Sequence, residues 1–410
     1  MTDDTAVGQA YALPGTLEGL LQRGRGLGAL RALGEPGEAA AAVCEVVRRD
    51  WRWDTVVDDR PLYLARLVRE SGLALDPVVS LLGGDGDDCE RATGMLELLA
   101  LSGSVEARET LRAYVREGEH WTDVLESVAD AWPVEWWDDL AGVARDRLGG
   151  DRPRLWRSEP WTRWRAGAET RAPVRPLRPH PIDVGASGGR LLEVLADGGS
   201  ARHTRIRALR CLAGRPPEPG LVPLVPHLAE VNGELPLPGL ASAVLRLGPL
   251  AVPEARAWAA DGRPWLSWIG VQVLAEHGTP RDLPVLPAEL VAHEAARQWC
   301  GPALLAAGIA RFGTAGAEAA PVLRRLWLRT PHSYERPALL KALASVAPVG
   351  LDFAYTESLW DCESDARLLG IAHAPGLPHV RERLTELRDD PMEEAEVRAA
   401  AGKRLVTGVR

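Results

Sequence analysis

Apolar residues recur along most of the chain at spacings of three and four positions, which is the period of one face of an α-helix. In the second half these stretches come in pairs, with a glycine ending the first stretch and a proline opening the second. The markers are Gly214, Gly248, Gly278 and Gly313, followed by Pro219, Pro253, Pro284 and Pro321. Glycine accepts the positive φ of a helix C-terminus and proline fits the first helical turn, so we predict repeated pairs of short helices.

The first part of the chain shows the same period with less regular spacing. We predict helices over 16–33 and 134–148, and a pair in which Gly103 ends one helix and Ser104 caps the next. Residues 392–406 are predicted to form the last helix, with glutamates near its N-terminus.

Residues 149–189 interrupt this pattern, because the prolines distributed through them are incompatible with one long helix. The sequence therefore predicts three regions. These are an acidic helical block over 1–148, a Pro/Arg-rich strap or linker over 149–189, and a regular repeat array with a C-terminal capping helix over 190–410.

The paired units at 208–228, 241–260, 269–291 and 304–328 resemble HEAT repeats, or the similar short-repeat α-solenoids of bacteria. The resemblance implies an all-α fold, a right-handed α-solenoid of stacked antiparallel helix pairs. It also implies that the inner helices line a concave face, which in such proteins binds proteins, peptides or, in some branches, nucleic acid. Each pair alone leaves an apolar face exposed, so we expect the array to be stable only as a whole.

Charge narrows the classes of partner. The formal net charge is −9, and residues 1–150 carry 28 acidic and 15 basic side chains, whereas residues 151–180 carry 3 acidic and 8 basic ones. A net acidic protein repels DNA at long range unless a local basic patch overrides the sum. We therefore expect a partner protein or peptide with a basic face, and the charge disfavours nucleic acid.

Targeting signals and cysteine usage point to one compartment. The chain starts without a basic, apolar leader and has no apolar run of about 18 residues, so neither secretion nor a membrane helix is expected. The five cysteines are widely spaced and form no C-x-x-C motif, a pattern typical of reduced thiols. We predict a cytoplasmic protein.

An Arg/Trp island at 152–165 is the first candidate for a ligand site. Its candidate binding residues are Trp156, Trp161, Trp164, Arg157, Arg163 and Arg165. Arginine can contact phosphates and tryptophan can stack on bases, so the island could hold single-stranded nucleic acid. The alternative, which we favour, is that the tryptophans pin the strap to neighbouring helices while the arginines pair with acids of the N-terminal block.

A second candidate comprises four neighbouring residues, Trp136, Trp137, Asp138 and Asp139. Some HEAT-like proteins are DNA glycosylases that use aromatic walls and a carboxylate, with tryptophan and aspartate one helical turn apart. No tryptophan of this chain has aspartate at the fourth position after it. A packed helix start with a solvated pair of aspartates is therefore the interpretation we favour here.

Metal and catalytic motifs are weak. A HEAT-like di-iron family places His-Glu dipeptides on successive helices, and this chain contains one, at 293–294. One dipeptide supplies too few converging ligands, so we expect no metal, no cofactor and no catalytic residue set. We predict a non-enzymatic interaction scaffold that binds its partner on the concave face. The alternative is a nucleic-acid-binding or glycosylase-type protein that uses the Arg/Trp island.

Overall fold

The computed structural model describes residues 10–148, 158–164, 185–230 and 232–408. In these ranges the chain is all-α, with 23 α-helices, short 3-10 helices and no β-strand beyond an isolated bridge between Ala229 and Pro236. The all-helical prediction is confirmed. None of the helices in the described residues combines the length and the apolar character that a membrane crossing requires.

The helices of the first 164 residues are α1 (Leu17–Gln22), α2 (Gly26–Gly34), α3 (Pro36–Arg48), α4 (Pro61–Glu70), α5 (Asp76–Val79), α6 (Gly86–Leu101), α7 (Val105–Glu117), α8 (Trp121–Ala131), α9 (Ala141–Leu148) and α10 (Trp161–Trp164). The later helices are α11 (Gly188–Ala196), α12 (Arg202–Ala213), α13 (Leu240–Leu245), α14 (Val252–Ala259), α15 (Pro264–His277), α16 (Val285–Ala296), α17 (Pro302–Ala310), α18 (Ala320–Arg329), α19 (Arg336–Val346), α20 (Asp352–Ser358), α21 (Ser364–His373), α22 (Pro378–Asp389) and α23 (Ala395–Thr407).

The chain divides into two compact units. Unit 1 comprises residues 1–171, 329–337 and 350–410, and unit 2 comprises residues 172–328 and 338–349. This division follows contacts in space, whereas the boundaries drawn from the sequence follow composition along the chain. The three predicted regions stay predictions.

Unit 1 packs helices from the beginning and the end of the chain. Helix α6 contacts α4, α7 and α8, while α2 contacts α1, α3, α4 and α20. The core contains apolar side chains from several helices, among them Val43, Leu67, Met95, Leu111 and Leu125. The unit therefore depends on contacts between residues more than 300 positions apart as well as on local ones.

The single helix predicted over 16–33 is interrupted at Gly24 and divides into α1 and α2. Gly24 lies between α1 and α2 with φ at 62°, a conformation that glycine adopts without steric penalty. A Cβ atom at Gly26 would lie 1.9 Å from the backbone oxygen of Glu357, so α2 can approach α20 because this position has no side chain. The break after α1 is therefore followed by a helix that packs closely against α20.

In unit 2, helices contact one another in chain order. Helix α12 contacts α13, α13 contacts α15, and α15 contacts α17. Each of them buries aliphatic side chains at helical spacing, for example Leu209, Val244, Leu274 and Leu305. The 3-10 helix Pro219–His227 and α14 and α16 run between these helices along the chain.

The glycine and proline markers of unit 2 lie at helix ends, with differences in detail. Gly214 and Gly278 directly follow α12 and α15, but their φ angles are −90° and −59°, so positive φ is not the reason for glycine there. A Cβ atom at Gly278 would lie 2.3 Å from the backbone oxygen of Leu274. Gly248 and Gly313 do adopt positive φ. A side chain at 278 would therefore collide with the Leu274 carbonyl, whereas at 248 and 313 glycine is favoured because it adopts positive φ without strain.

Two other predicted helices begin later than the sequence suggested. In place of a helix from 134, two 3-10 turns (Val134–Trp136 and Asp138–Leu140) precede α9. The last helix begins at Ala395 instead of 392, and Glu393, which precedes it, accepts hydrogen bonds from the buried Arg66 and Arg367.

Candidate functional site

The described part of the Arg/Trp island packs against the second candidate motif, so the structure brings the two together in unit 1. The Trp164 ring centroid lies 5.9 Å from that of Trp137 and 5.7 Å from that of Trp161. The Trp161 ring in turn lies 6.4 Å from Trp121 on α8. These pairs are edge-to-face, the arrangement that aromatic rings favour in cores.

The rings of this cluster are largely enclosed by protein. Trp137 is 1% exposed and Trp161 is 4% exposed. The indole Nε1 of Trp137 donates to the backbone oxygen of Trp132, and that of Trp161 donates to the Glu126 carboxylate. Since these two rings have no face open to solvent, they do not present a stacking plane for a base.

Both aspartates of the second motif are paired inside unit 1. Arg163 Nε and Trp164 Nε1 donate to Asp138 Oδ1 at 2.9 and 3.0 Å. Arg112 donates to both carboxylate oxygens of Asp139 at 2.9 and 2.7 Å. Hydrogen bonds from Trp164 and Arg163 lower the pKa of Asp138, and those from Arg112 lower the pKa of Asp139.

The packing explains the described part of the island without a ligand. Trp161 and Trp164 attach α10 to its neighbours, and Arg163 pairs with an acid of the N-terminal block, as the favoured interpretation of the sequence expects. Trp156, Arg157 and Arg165 lie outside the described residues. Binding of a ligand by this set stays a prediction.

A buried polar network in unit 1 was not anticipated from the sequence. Asp58 Oδ1 accepts hydrogen bonds from His332 Nδ1 at 2.7 Å, from Ser333 Oγ at 3.0 Å and from the backbone N–H of Tyr334 at 3.1 Å. Burial alone raises the pKa of Asp58, but the bond from His332 and the charge of Arg60 outweigh it and hold the pKa well below its usual range.

Arginines continue the network around Cys362. Arg336 donates to both oxygens of Asp361 at 3.0 and 2.8 Å and also contacts Cys362 Sγ at 3.2 Å. Arg60 Nη1 lies 2.7 Å from Ser333 Oγ and 2.9 Å from Cys362 Sγ. Burial raises the pKa of the Cys362 thiol, although both arginines oppose it, so the thiol stays protonated and is a poor nucleophile.

The rest of the network joins the end of the chain to its beginning. Arg66 donates to Asp390 at 2.9 Å and to Glu393 at 2.9 Å, and Arg367 donates to the second oxygen of Glu393 at 2.9 Å. Arg25 forms a two-point pair with Glu357, with both bonds at 2.8 Å. A network of this kind fixes which segments pack together more than it supplies a reactive group.

One signal in the sequence could have indicated the network. Residues 357–367 combine acidic side chains, a cysteine and an arginine in a segment that also contains leucine and tryptophan. Charged residues inside an otherwise apolar pattern imply buried partners. The partners of Glu357 and Cys362, which are Arg25 and Arg60, lie more than 300 positions away, and no local pattern reveals them.

The His-Glu dipeptide at 293–294 takes up two separate structural roles in unit 2. The His293 ring packs on Trp268 with centroids 5.1 Å apart, and its Nδ1 lies 3.3 Å from the Gln298 backbone oxygen. Glu294 pairs with Arg325 at 2.9 Å. In the part of the chain that the structure describes, no group of three or more His, Cys, Asp and Glu side chains is placed to hold a metal ion.

A basic groove runs along one face of α12 in unit 2, with a volume of about 720 Å³. It is lined by residues that recur at helical spacing, namely His203, Ile206, Arg207, Arg210, Cys211, Gly214 and Arg215. Among the described residues, no carboxylate lines this groove. Arg207 Nε is buried without a hydrogen-bond partner in the described residues. The opposite face of α12 buries Leu209 and Leu212 in the core, so the helix presents one apolar and one cationic side.

Comparisons with protein-family models, with curated proteins and with solved structures found no match to this chain.

Proposed function

We propose that this protein is a non-enzymatic interaction protein whose helices stack in a HEAT-like α-solenoid and whose exposed surface binds a partner protein. The order of contacts in unit 2 supports the stacking, since α12, α13, α15 and α17 meet successively. In a solenoid each unit contacts mainly its neighbours, and the resulting extended face is suited to binding. Binding on a concave inner face is part of this proposal.

The basic groove along α12 is the surface that we propose binds the partner protein. Its four basic side chains are His203, Arg207, Arg210 and Arg215. Arg246 lies beside the groove, since its Nε donates to the Arg215 backbone oxygen at 2.7 Å. A cationic groove without carboxylates attracts an acidic segment and fixes it by charge-assisted hydrogen bonds. The partner that fits this groove is an acidic peptide segment of another protein.

Charge reversal within the groove tests this assignment. Arg207→Glu with Arg210→Glu changes the groove from cationic to anionic, and a matched control places Arg190→Glu and Arg281→Glu elsewhere on unit 2. Binding of a fluorescent glutamate-rich peptide, measured by anisotropy, should weaken at least about tenfold in the groove variant and little in the control. It should also weaken as salt increases, because salt screens exposed charges.

Two results would overturn the acidic-peptide assignment. One is an affinity that is equal in the wild type and the groove variant. The other is a single-stranded oligonucleotide that binds the same groove more tightly than the peptide, which would make nucleic acid the ligand. Nuclease treatment during capture from a native cell extract separates the same two classes.

A partner with a basic face is a second candidate, suggested by the acid excess of residues 1–150. Unit 1 retains exposed carboxylates on α7 and in the turn after it, such as Glu106, Glu117 and Glu119. Many other acids of this block already bind arginines internally, including Asp50 and Asp139. An arginine-rich peptide in the same assay tests this surface, and its binding should be insensitive to the groove variant.

The nucleic-acid or glycosylase-type alternative would use the Arg/Trp island. Within the described residues Arg163 is the most accessible member, with 46% of its side chain exposed. Arg163→Gln preserves the tryptophan packing and should weaken oligonucleotide binding if the island holds nucleic acid. Unchanged oligonucleotide binding in this variant would exclude a phosphate contact by Arg163.

A further inference from the structure

A small cavity in unit 1 lies where the end of α3, the start of α4 and the first half of α6 meet. Its volume is about 50 Å³. On this measure one water needs roughly 10–15 Å³, so the space suits a few waters or one small ion. Aliphatic side chains such as Leu64 and Met95 form part of its wall, and the remainder is formed by charged groups and an indole.

The charged part of the wall is cationic. Four arginines and two carboxylates line the cavity, namely Arg49, Arg52, Arg60, Arg91, Asp50 and Glu90. Asp50 is already bound by Arg52, whose Nε and Nη2 donate to it at 3.0 and 2.6 Å. Glu90 is exposed at the surface. The lining therefore has an excess of two positive charges.

Three residues of the lining carry buried N–H groups without a partner in the described residues. These atoms are Trp51 Nε1, Arg60 Nε and Nη2, and Arg91 Nε. All four are donors, and neither an indole nor a guanidinium can accept a hydrogen bond. A buried donor left without a partner costs about 1–3 kcal/mol, so several around one cavity indicate a missing acceptor.

Arg60 supplies the most specific feature. Its Nη1 is engaged by Ser333 Oγ and Cys362 Sγ, which holds the guanidinium in place. Its Nε and Nη2 form the other edge of the guanidinium and have no partner in the described residues. That edge presents two parallel N–H groups, the fork that binds two oxygens of a phosphate or carboxylate at once. Arg60 is 6% exposed, so such a bond would form in a site with little water.

We propose that this cavity is a phosphate-binding site, in which the free edge of Arg60, the Trp51 indole N–H and Arg91 Nε donate to the oxygens of one phosphate group. A tetrahedral phosphate offers oxygens in several directions at once, which matches donors supplied by both ends of the connection between α3 and α4 and by α6. Arg49, whose guanidinium lies 4.3 Å from the Trp51 ring centroid, adds charge at the cavity. The ligand is inorganic phosphate or the phosphate group of a small phosphomonoester.

The test follows the Trp51 indole resonance in ¹⁵N-labelled full-length protein. Trp51→Phe identifies that resonance and removes one donor while keeping an aromatic ring. Titration with inorganic phosphate at constant ionic strength should shift the resonance saturably. Isothermal titration calorimetry, which does not depend on the Trp51 resonance, compares the affinities of the variants. The affinity should fall about tenfold or more in Trp51→Phe, because a hydrogen bond to a charged acceptor is lost.

A matched control and a second variant keep the result interpretable. Trp265→Phe changes an indole in unit 2 that already donates to the Gly233 backbone oxygen, and it should leave phosphate affinity unchanged. Arg60→Lys keeps the charge but loses the fork, and it should abolish saturable binding. Circular dichroism and the melting temperature show whether each variant is folded.

Titrations with inorganic phosphate and with glycerol phosphate show whether the site prefers the free ion or a phosphate ester. Saturation by inorganic phosphate or by glycerol phosphate supports the proposal, and a tighter fit of the ester identifies the phosphate as part of a larger molecule. No saturable shift with either ligand overturns it. Equal affinity for acetate overturns the choice of phosphate, and an unchanged affinity in Trp51→Phe overturns the assigned donors.

Discussion

Unit 1 and unit 2 are both arginine-rich and helical, yet they place their charges differently. In unit 1, Arg25, Arg336 and Arg367 are fully buried and paired with carboxylates, and the hydrogen bonds of Arg25 and Arg336 also join segments more than 300 positions apart. In the described part of unit 2, the buried polar side chains are Asp282 and His293, and the arginines stay closer to the surface. The core of unit 2 is formed by aliphatic and tryptophan side chains.

The difference shows two ways of specifying helix packing. Helices that follow one another along the chain meet easily, so apolar faces alone can specify the contacts of unit 2. Unit 1 must select contacts between segments about 300 residues apart, where apolar surfaces would tolerate many registers. Buried charges penalise the wrong registers, because each unpaired charge in the core is costly. The comparison predicts that the two units respond differently to matched substitutions.

The largest contrast is expected for arginine removal. Arg336 is 1% exposed and donates to Asp361 and to the backbone oxygens of Arg23 and Gly24. Arg336→Leu leaves the Asp361 charge buried and should lower the free energy of unfolding by about 3–5 kcal/mol. Urea denaturation with hydrogen exchange resolved by peptide measures the loss and assigns it to a unit.

The matched variant in unit 2 is Arg325→Leu. Arg325 also forms a two-point pair, with Glu294, but 42% of its side chain is exposed. Because an exposed ion pair contributes little, the loss should stay within about 1 kcal/mol. If Arg336→Leu and Arg325→Leu lowered the free energy of unfolding equally, the two units would not differ in their dependence on arginine ion pairs.

The second prediction concerns pH. Burial raises the pKa of Glu97 in α6 to about 7, with the Asp130 charge adding to the effect and a hydrogen bond from Ser127 opposing it. The folded state thus favours the protonated form. This stabilisation is present below about pH 4.5 and is lost as pH rises through 7, an effect of about 3 kcal/mol. Glu97→Gln stays neutral and should be more stable than the wild type at pH 8.

The difference between variants isolates this one group. The stability gain of Glu97→Gln should be near zero at about pH 4.5 and should grow steadily towards pH 8. The exposed Glu117→Gln serves as a control without such a trend. A gain that does not change with pH would show that Glu97 is ionised in the folded protein throughout this range.

The third prediction tests the close approach of α2 to α20. A methyl group at Gly26 would collide with the backbone oxygen of Glu357, at 1.9 Å. Gly26→Ala should therefore destabilise unit 1 by about 1–3 kcal/mol. Gly142→Ala, at a site of α9 with open space around it, should be neutral or slightly stabilising. Thermal denaturation of both variants measures the contrast, and equal melting temperatures would contradict it.

The same two units differ in how much of their structure the sequence could predict. Local patterns correctly predicted an all-helical fold for the described residues and positioned the glycines near the helix ends of unit 2, because capping depends on neighbouring residues. They also suggested that the tryptophans of the island would be packed and that its arginines would pair with acids, which holds for Trp161 and Arg163. The solenoid arrangement stays a prediction.

Local patterns could not predict which residues pair when they are far apart along the chain. The residues around Arg25 do not indicate that it pairs with Glu357, and those around Asp58 do not indicate that it binds His332. The cavity at Arg60 was also missed, since its wall combines residues of α1, α3, α4 and α6 with the connection between α3 and α4. The 3-10 helix Pro219–His227 was missed although its cause is local. Pro223 and Pro226 lack the N–H groups that an α-helix would need at those positions.

The smallest expected effect lies at a helix start in unit 2. Thr279 donates to Asp282 through its backbone N–H and through its hydroxyl, at 2.8 and 2.9 Å, and Arg256 binds the same carboxylate. Thr279→Val keeps the shape and the backbone bond but loses the hydroxyl bond, so we expect a loss of about 1 kcal/mol. Because the core of unit 2 is apolar and its contacts follow chain order, faster hydrogen exchange should be confined to the α15–α16 turn and the first turn of α16. Exchange that accelerates equally across α12 and α13 would instead show that unit 2 unfolds as one block.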